Sequence, residues 1–286
     1  MMFLFMFENQ KNIVQRFLSI VLFTPVITFA IVWSPWTYFF LFFYVVMLSM
    51  LEFYKLIKHT NVLPMRGWGI WLGLLLYTIA FAYYLQNNIT PILGYIYIPL
   101  FFSIYVIALY NRASSNPFLS IASTLLGILY IAVPFCMLHC LAFYQGAYSY
   151  QLILGLLIIV WSQDTGAYLV GYTIGKSKLF ERISPKKTWE GVFGGILSAG
   201  IASCVIAYFF DILPLWQWIS IAGITIVTGV YGDLVASLLK RSAAVKDSSK
   251  IIPGHGGLLD RVDSLLLTIP TVVAFLKIIA FVGYNN

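Results

Sequence analysis

Nine runs of apolar residues, most close to the length that crosses a lipid bilayer, follow one another along the chain at 17–33, 37–51, 68–85, 92–110, 118–143, 152–175, 192–210, 215–239 and 265–284. A spanning helix rising about 1.5 Å per residue needs roughly 20 such residues, and the connections left over are too short for a separate soluble domain. The pattern predicts an all-α, polytopic integral membrane protein of about nine transmembrane helices. Charge content agrees, because only 9% of the 286 residues are charged, against roughly a quarter in soluble domains. Mean hydropathy is +0.90.

Lys11 and Arg16 precede the first run as they would in a signal peptide, but no convincing small-residue cleavage site follows, so it is read as a retained span. Pro35 separates it from the second run, which ends at Glu52, as in a tight helical hairpin. Sixteen of the seventeen Lys and Arg residues lie at the N-terminus or in the connections after spans two, four, six and eight, with only Lys277 elsewhere. The positive-inside rule then gives a cytoplasmic N-terminus, an outside C-terminus, and cytoplasmic loops at 176–191 and 240–264. A net charge of +7 gathered in loops suits anionic lipid headgroups and argues against a nucleic-acid partner.

Trp33, Trp36, Trp68, Trp216 and Trp218 fall near span ends, where an interfacial aromatic belt is expected. The pairs Gly69/Gly73, Gly171/Gly175 and Gly191/Gly195 are spaced for close helix packing, within the chain or across a dimer. Cys136, Cys140 and Cys204 lie inside apolar runs and imply no disulfide framework. Cys136, His139 and Cys140 read as core, since a structural metal site usually takes four ligands.

Three polar clusters interrupt this apolar background. Asp164 lies in the sixth span and Asp233 in the eighth, where an ionised carboxylate must face a polar cavity or a cation. Between spans six and seven, Ser184, Lys186, Lys187 and Thr188 offer point charges and hydroxyl donors to phosphate oxygens. The third cluster, 237–263, holds five basic residues, three carboxylates, one histidine and three glycines. Here Ser237, Lys240, Arg241 and Lys246 lead to a Pro253-Gly-His255-Gly256-Gly257 turn, whose amides can approach a phosphate. Asp260 and Asp263 follow at i, i+3, on one face of any helix that starts there. Carboxylates hold hard cations such as Mg²⁺, so the clusters suit metal-assisted phosphoryl or nucleotidyl transfer without a protein nucleophile.

The run Ser237-x-x-Lys240-Arg241-x4-Lys246-Asp247-x5-Pro253-x-His255-Gly-Gly-x-x-Asp260-Arg261-x-Asp263 resembles the signature of the phosphatidate cytidylyltransferase (CDP-diacylglycerol synthase) family. The similarity extends upstream through Ser184-Pro-Lys-Lys-Thr-Trp-Glu-Gly191 and Asp164-Thr-Gly-Ala-Tyr168 to cover roughly residues 160–265. The resemblance implies transfer of the cytidylyl group of CTP to phosphatidate, giving CDP-diacylglycerol and pyrophosphate for phospholipid biosynthesis at the cytoplasmic face of the cell (inner) membrane. It implies Mg²⁺ at Asp233 and Asp260, with Asp263 as a further candidate ligand and room for a second cation such as K⁺. Catalytic positions would be Asp233, Asp260, Lys240, Arg241, Lys246 and Arg261. Substrate-binding positions would be Ser184, Lys186, Lys187, Thr188, Ser237, Asp247, His255, Gly256, Gly257 and Asp164. It also implies a homodimer. On this reading, 1–145 holds helices one to five as scaffold and 146–286 holds the catalytic helices six to nine. The rivals are a CTP-dependent lipid kinase, a synthase acting on an archaeal ether lipid, and a transporter whose coupling ions bind Asp164 and Asp233.

Overall fold

The computed structural model describes residues 24–85, 90–112, 116–249 and 256–284. Its helices are α1 (Thr24–Trp33), α2 (Pro35–Lys58), α3 (Arg66–Leu85), α4 (Thr90–Tyr110), α5 (Pro117–Ala142), α6 (Gln151–Ile174), α7 (Trp189–Phe209), α8 (Leu215–Ser242) and α9 (Leu259–Tyr284). Eight of these, α2 to α9, are long and apolar enough to cross a membrane. The expected first span is described only from Thr24 onward, and Lys11 and Arg16 lie outside the described residues.

Ser34 and Pro35 explain the break between α1 and α2. The Ser34 hydroxyl accepts from Thr37 N, Thr37 Oγ1 accepts from Ser34 N, and Pro35 sits at the first helical position, where a missing N–H costs nothing. A π-helical turn, Ile128–Ala132, interrupts α5 just before Pro134, and Val133 N reaches back to Ile128 O. Proline cannot donate to the carbonyl four residues behind it, and a π-turn absorbs the mismatch.

Two helix boundaries differ from the sequence expectation in ways that matter for the site. Helix α2 continues to Lys58, so Glu52 lies inside it and is 2% exposed. Helix α9 begins at Leu259 rather than 265, which puts Asp260 and Asp263 among its opening residues. Hydropathy alone stops at the first charge, whereas helical hydrogen bonding continues as long as each carboxylate finds donors.

Helices α6 and α7 pack closely side by side, α8 packs on α7 and α9, and α9 also leans on α5 and α2. A Cβ at Gly191 would lie 2.8 Å from Ala167 O and 3.3 Å from Gly171 Cα, so bare backbone lets α6 and α7 approach. Gly69 and Gly73 likewise face Tyr54 and Met50 of α2. These packing motifs are therefore in use within the chain.

Trp33, Trp36 and Trp216 are exposed, as belt residues should be, but Trp218 corrects the expectation. It is 0% exposed, its ring seated where a Cβ at Gly155 would collide with it. Trp218 is a core residue because that glycine leaves a slot for the indole. His139 is fully buried with Nδ1 3.0 Å from the Tyr38 hydroxyl, and Cys140 Sγ is 2.9 Å from the Tyr84 hydroxyl. These partners explain the cluster as interior packing.

The connection between α6 and α7 folds into a short antiparallel hairpin, β1 (Lys178–Phe180) with β2 (Ser184–Thr188), where a plain loop was expected. Glu190 draws it back onto the bundle. Its carboxylate accepts from Lys176 N at 3.1 Å and Ser177 N at 3.1 Å, and Trp189 N donates to Ser177 O at 2.9 Å.

Candidate active site

Helices α6 to α9 and the hairpin surround a cavity of about 770 Å³, within the range of a drug-sized ligand pocket. Asp164 reaches it from α6, Lys178, Lys186 and Lys187 from the hairpin, Asp233 from α8, and Asp260 and Asp263 from α9. Residues from all three clusters, at Asp164 and Asp233, at 186–188, and at Asp260 and Asp263, thus meet at one end of the bundle.

Two ion pairs organise the charges. Lys187 Nζ is 2.5 Å from Asp233 Oδ2, and both side chains are partly exposed, at 27% and 35%. Ser237 Oγ adds a longer contact of 3.3 Å to Asp233 Oδ1 one turn along α8. The second pair, Lys240 Nζ to Asp260 Oδ1 at 2.6 Å, is much more enclosed, at 11% and 13%. Asp260 Oδ2 also accepts from Ser248 N at 3.0 Å and Gly257 N at 3.1 Å, and Ser248 Oγ lies 3.0 Å from it. A carboxylate offers about four lone-pair sites, so protein donors take up most of the capacity of Asp260.

Close packing fixes the depth of the carboxylates. A Cβ at Gly232 would lie 2.7 Å from Asp263 O and 3.0 Å from Ser264 Cα, so α8 and α9 meet at backbone distance beside Asp233 and Asp263. Asp263 is 6% exposed and Oδ1 accepts from Ser264 N at 2.8 Å. Asp164 is exposed toward the cavity, and Gln163 beside it is buried.

The remaining sequence candidates fall into distinct settings. Thr188 is buried and caps α7, its Oγ1 accepting from Gly191 N at 3.2 Å, while its residue still borders the cavity. Ser184 is half-buried on β2, away from the cavity lining. Arg241 donates to Val245 O at 3.4 Å, and Lys246, Asp247 and Arg261 are exposed; none of the four borders the cavity. Gly256 has a φ of +80°, a left-handed conformation suited to glycine. Gly257 is buried, and a Cβ there would collide with Ser248 Oγ and the Glu52 carboxylate. His255 lies outside the described residues.

Three contributors were missed in the sequence. Lys178 borders the cavity because β1 pairs it with Thr188, a register that no local pattern announced. Ser248 and Glu52 hold the Asp260 segment. A charged residue inside an apolar helix was the available signal for Glu52.

The donor set is hard and oxygen-based, which suits Mg²⁺ or Ca²⁺ rather than a soft metal. Among the described residues no three His, Cys, Asp or Glu side chains converge closely enough to enclose an ion. This is compatible with Mg²⁺, which usually takes one or two carboxylates and completes its shell with water and substrate phosphate.

Comparison with known proteins bears on this arrangement. A phosphatidate cytidylyltransferase of Staphylococcus epidermidis is 38% identical over 170 residues, spanning 58% of this chain and 64% of that protein. A phosphatidate cytidylyltransferase of Haemophilus influenzae is 41% identical over 132 residues, spanning 44% of this chain and 45% of that protein. The aligned parts thus cover less than two thirds of either relative. The model of the cytidylyltransferase family, however, matches residues 14–279, nearly the whole chain, and the chain belongs to that family.

Proposed function

We propose that the chain transfers the cytidylyl group of CTP to phosphatidate, forming CDP-diacylglycerol and pyrophosphate, by metal-assisted in-line displacement at the cytoplasmic membrane face. The observation that carries this reading is the cavity where the Lys187–Asp233 pair and Lys178 and Lys186 of the hairpin meet the opening of α9. Membership of the cytidylyltransferase family supports nucleotidyl transfer, and the phosphatidate cytidylyltransferases among its relatives support the lipid acceptor.

In the proposed step an ionised phosphate oxygen of phosphatidate attacks the α-phosphorus of CTP. The new P–O bond forms as the bond from the α-phosphorus to the bridging oxygen breaks, and pyrophosphate leaves with that electron pair. A phosphate monoester is already largely ionised at neutral pH, so no side chain has to remove a proton. Lys178, Lys186 and Lys187 would neutralise the triphosphate and its departing half. Asp233, with Asp263 and Asp164 facing the same space, would hold Mg²⁺; Asp260, already held by Lys240 and two backbone N–H groups, would hold the Lys240 end of the site. Bound Mg²⁺ would supply charge neutralisation at phosphate oxygens. A second cation such as K⁺ and a homodimer belong to the same proposal.

Purified protein in nanodiscs, given CTP, Mg²⁺ and phosphatidate, should release pyrophosphate and CDP-lipid in equal amounts. CDP with a phosphorylated lipid would establish a kinase instead, and no product of either kind would favour a transporter. Orientation is tested separately with a single cysteine at Arg182 or Lys246. It should react with an impermeant thiol reagent in inside-out vesicles only, and labelling from the outer side would overturn the cytoplasmic assignment.

A further inference from the structure

Glu52 lies in the half of the chain read as scaffold, 2% exposed and within the last two turns of α2. Burying a carboxylate there is costly unless donors compensate. Four do. Oε1 accepts from Ser249 Oγ at 2.6 Å and Leu258 N at 2.9 Å, and Oε2 accepts from Leu259 N at 2.8 Å and lies 2.9 Å from Ser248 Oγ.

These contacts do two things. Leu258 N and Leu259 N are N–H groups that the start of a helix leaves without intrahelical partners, so Glu52 caps α9 from another helix and favours its dipole. Ser248 Oγ also lies 3.0 Å from Asp260 Oδ2. A hydroxyl carries one proton, so Ser248 links the two carboxylates through a single shared donor. Gly257 leaves room for this arrangement, since a Cβ there would strike both Ser248 and Glu52.

We propose that Glu52 is the positioning residue for Asp260: from α2 it holds Ser248, Ser249 and the first turn of α9, and thereby sets the Lys240–Asp260 pair at the edge of the cavity. The proposal rests on the reading of this cavity as the CTP site. It makes the N-terminal helices part of the catalytic apparatus, because the α2–α9 contact determines where Asp260 stands.

The test uses full-length protein in nanodiscs and measures CTP affinity by equilibrium dialysis with Mg²⁺ and no lipid substrate, beside CDP-lipid formation. Glu52→Gln, Asp260→Asn and the double variant form a cycle. Each single change should weaken CTP binding by about 10- to 100-fold, the range for groups that orient a ligand-binding residue. The double variant should bind within about threefold of Asp260→Asn alone, because Glu52 acts through Asp260. Ser248→Ala removes the shared hydroxyl but leaves Glu52 its other three donors. It should show the same non-additivity with a smaller fold-change, so the test holds even where Glu52→Gln does not insert. Additive losses, or Glu52 and Ser248 variants with wild-type CTP affinity and lowered thermal stability, overturn the proposal and leave the function standing. A wild-type protein that neither binds CTP nor forms CDP-lipid overturns the function and this inference together.

Discussion

In α2, α3 and α5 several polar side chains are paired within the bundle: Tyr38 meets His139, Tyr84 meets Cys140, and the Tyr54 hydroxyl donates to Thr124 O. In α6 to α9 the carboxylates of Asp164, Asp233, Asp260 and Asp263 instead border an open cavity, with lysines from a hairpin and a neighbouring helix beside them. The first arrangement holds uncharged groups against one another inside the helix packing. The second leaves charge at the surface of a cavity, which is how a site for a charged ligand differs from a core that holds helices together. Glu52 crosses this division, since it is buried like the first group but spends its contacts on the second.

The comparison breaks most sharply at Asp233. Asp233→Asn should lower CDP-lipid formation by about a thousandfold, the scale for losing a main electrostatic group at the reacting centre. Membrane insertion and thermal unfolding should stay near wild type, because the pair it loses is partly exposed. Near-normal turnover would remove Asp233 from the chemistry.

Lys187→Ala should raise the KM for CTP by about tenfold or more, consistent with one lost charge-assisted phosphate contact. Steady-state kinetics at fixed phosphatidate separates this from a fall in kcat, and an unchanged KM would reassign Lys187 to holding Asp233. Asp260→Ala should behave differently from both. It strands a nearly buried Lys240 and should cost about 3 kcal/mol of stability, as removing one member of a buried pair does. Denaturation in mild detergent measures that loss alongside turnover.

The smallest effect on function is expected in the first arrangement. Tyr38→Phe removes the hydroxyl beside His139 Nδ1 and should cost about 1–3 kcal/mol, read as a lower unfolding temperature. Turnover of the folded protein should stay within about twofold, as for distant independent sites. A larger fall would mean that the two halves are coupled well beyond the Glu52 contact.

Much of this was legible beforehand because it depends on residues near one another in sequence. Hydropathy marked the spans, Pro35 marked the first break, and the i, i+3 spacing of Asp260 and Asp263 put two carboxylates on the side of α9 that borders the cavity. The failures have a common origin. Trp218 near a span end looked like an interfacial anchor, but Gly155 on another helix opened a slot for it. Lys178 looked like an ordinary loop charge until the hairpin paired it with Thr188. Glu52 looked like the end of a span, because its donors come from residues about 200 positions away in the chain, a separation that local pattern reasoning does not cross.

By itself, then, the sequence determined a membrane-embedded helical bundle and the charged side chains that interrupt it. It did so because apolar length and charge spacing are local quantities. Only the tertiary structure decided which charges meet: Lys187 with Asp233, Lys240 with Asp260, and Glu52 with the start of α9. Those choices follow from helix packing, since a buried carboxylate is tolerable only where the fold brings donors to it.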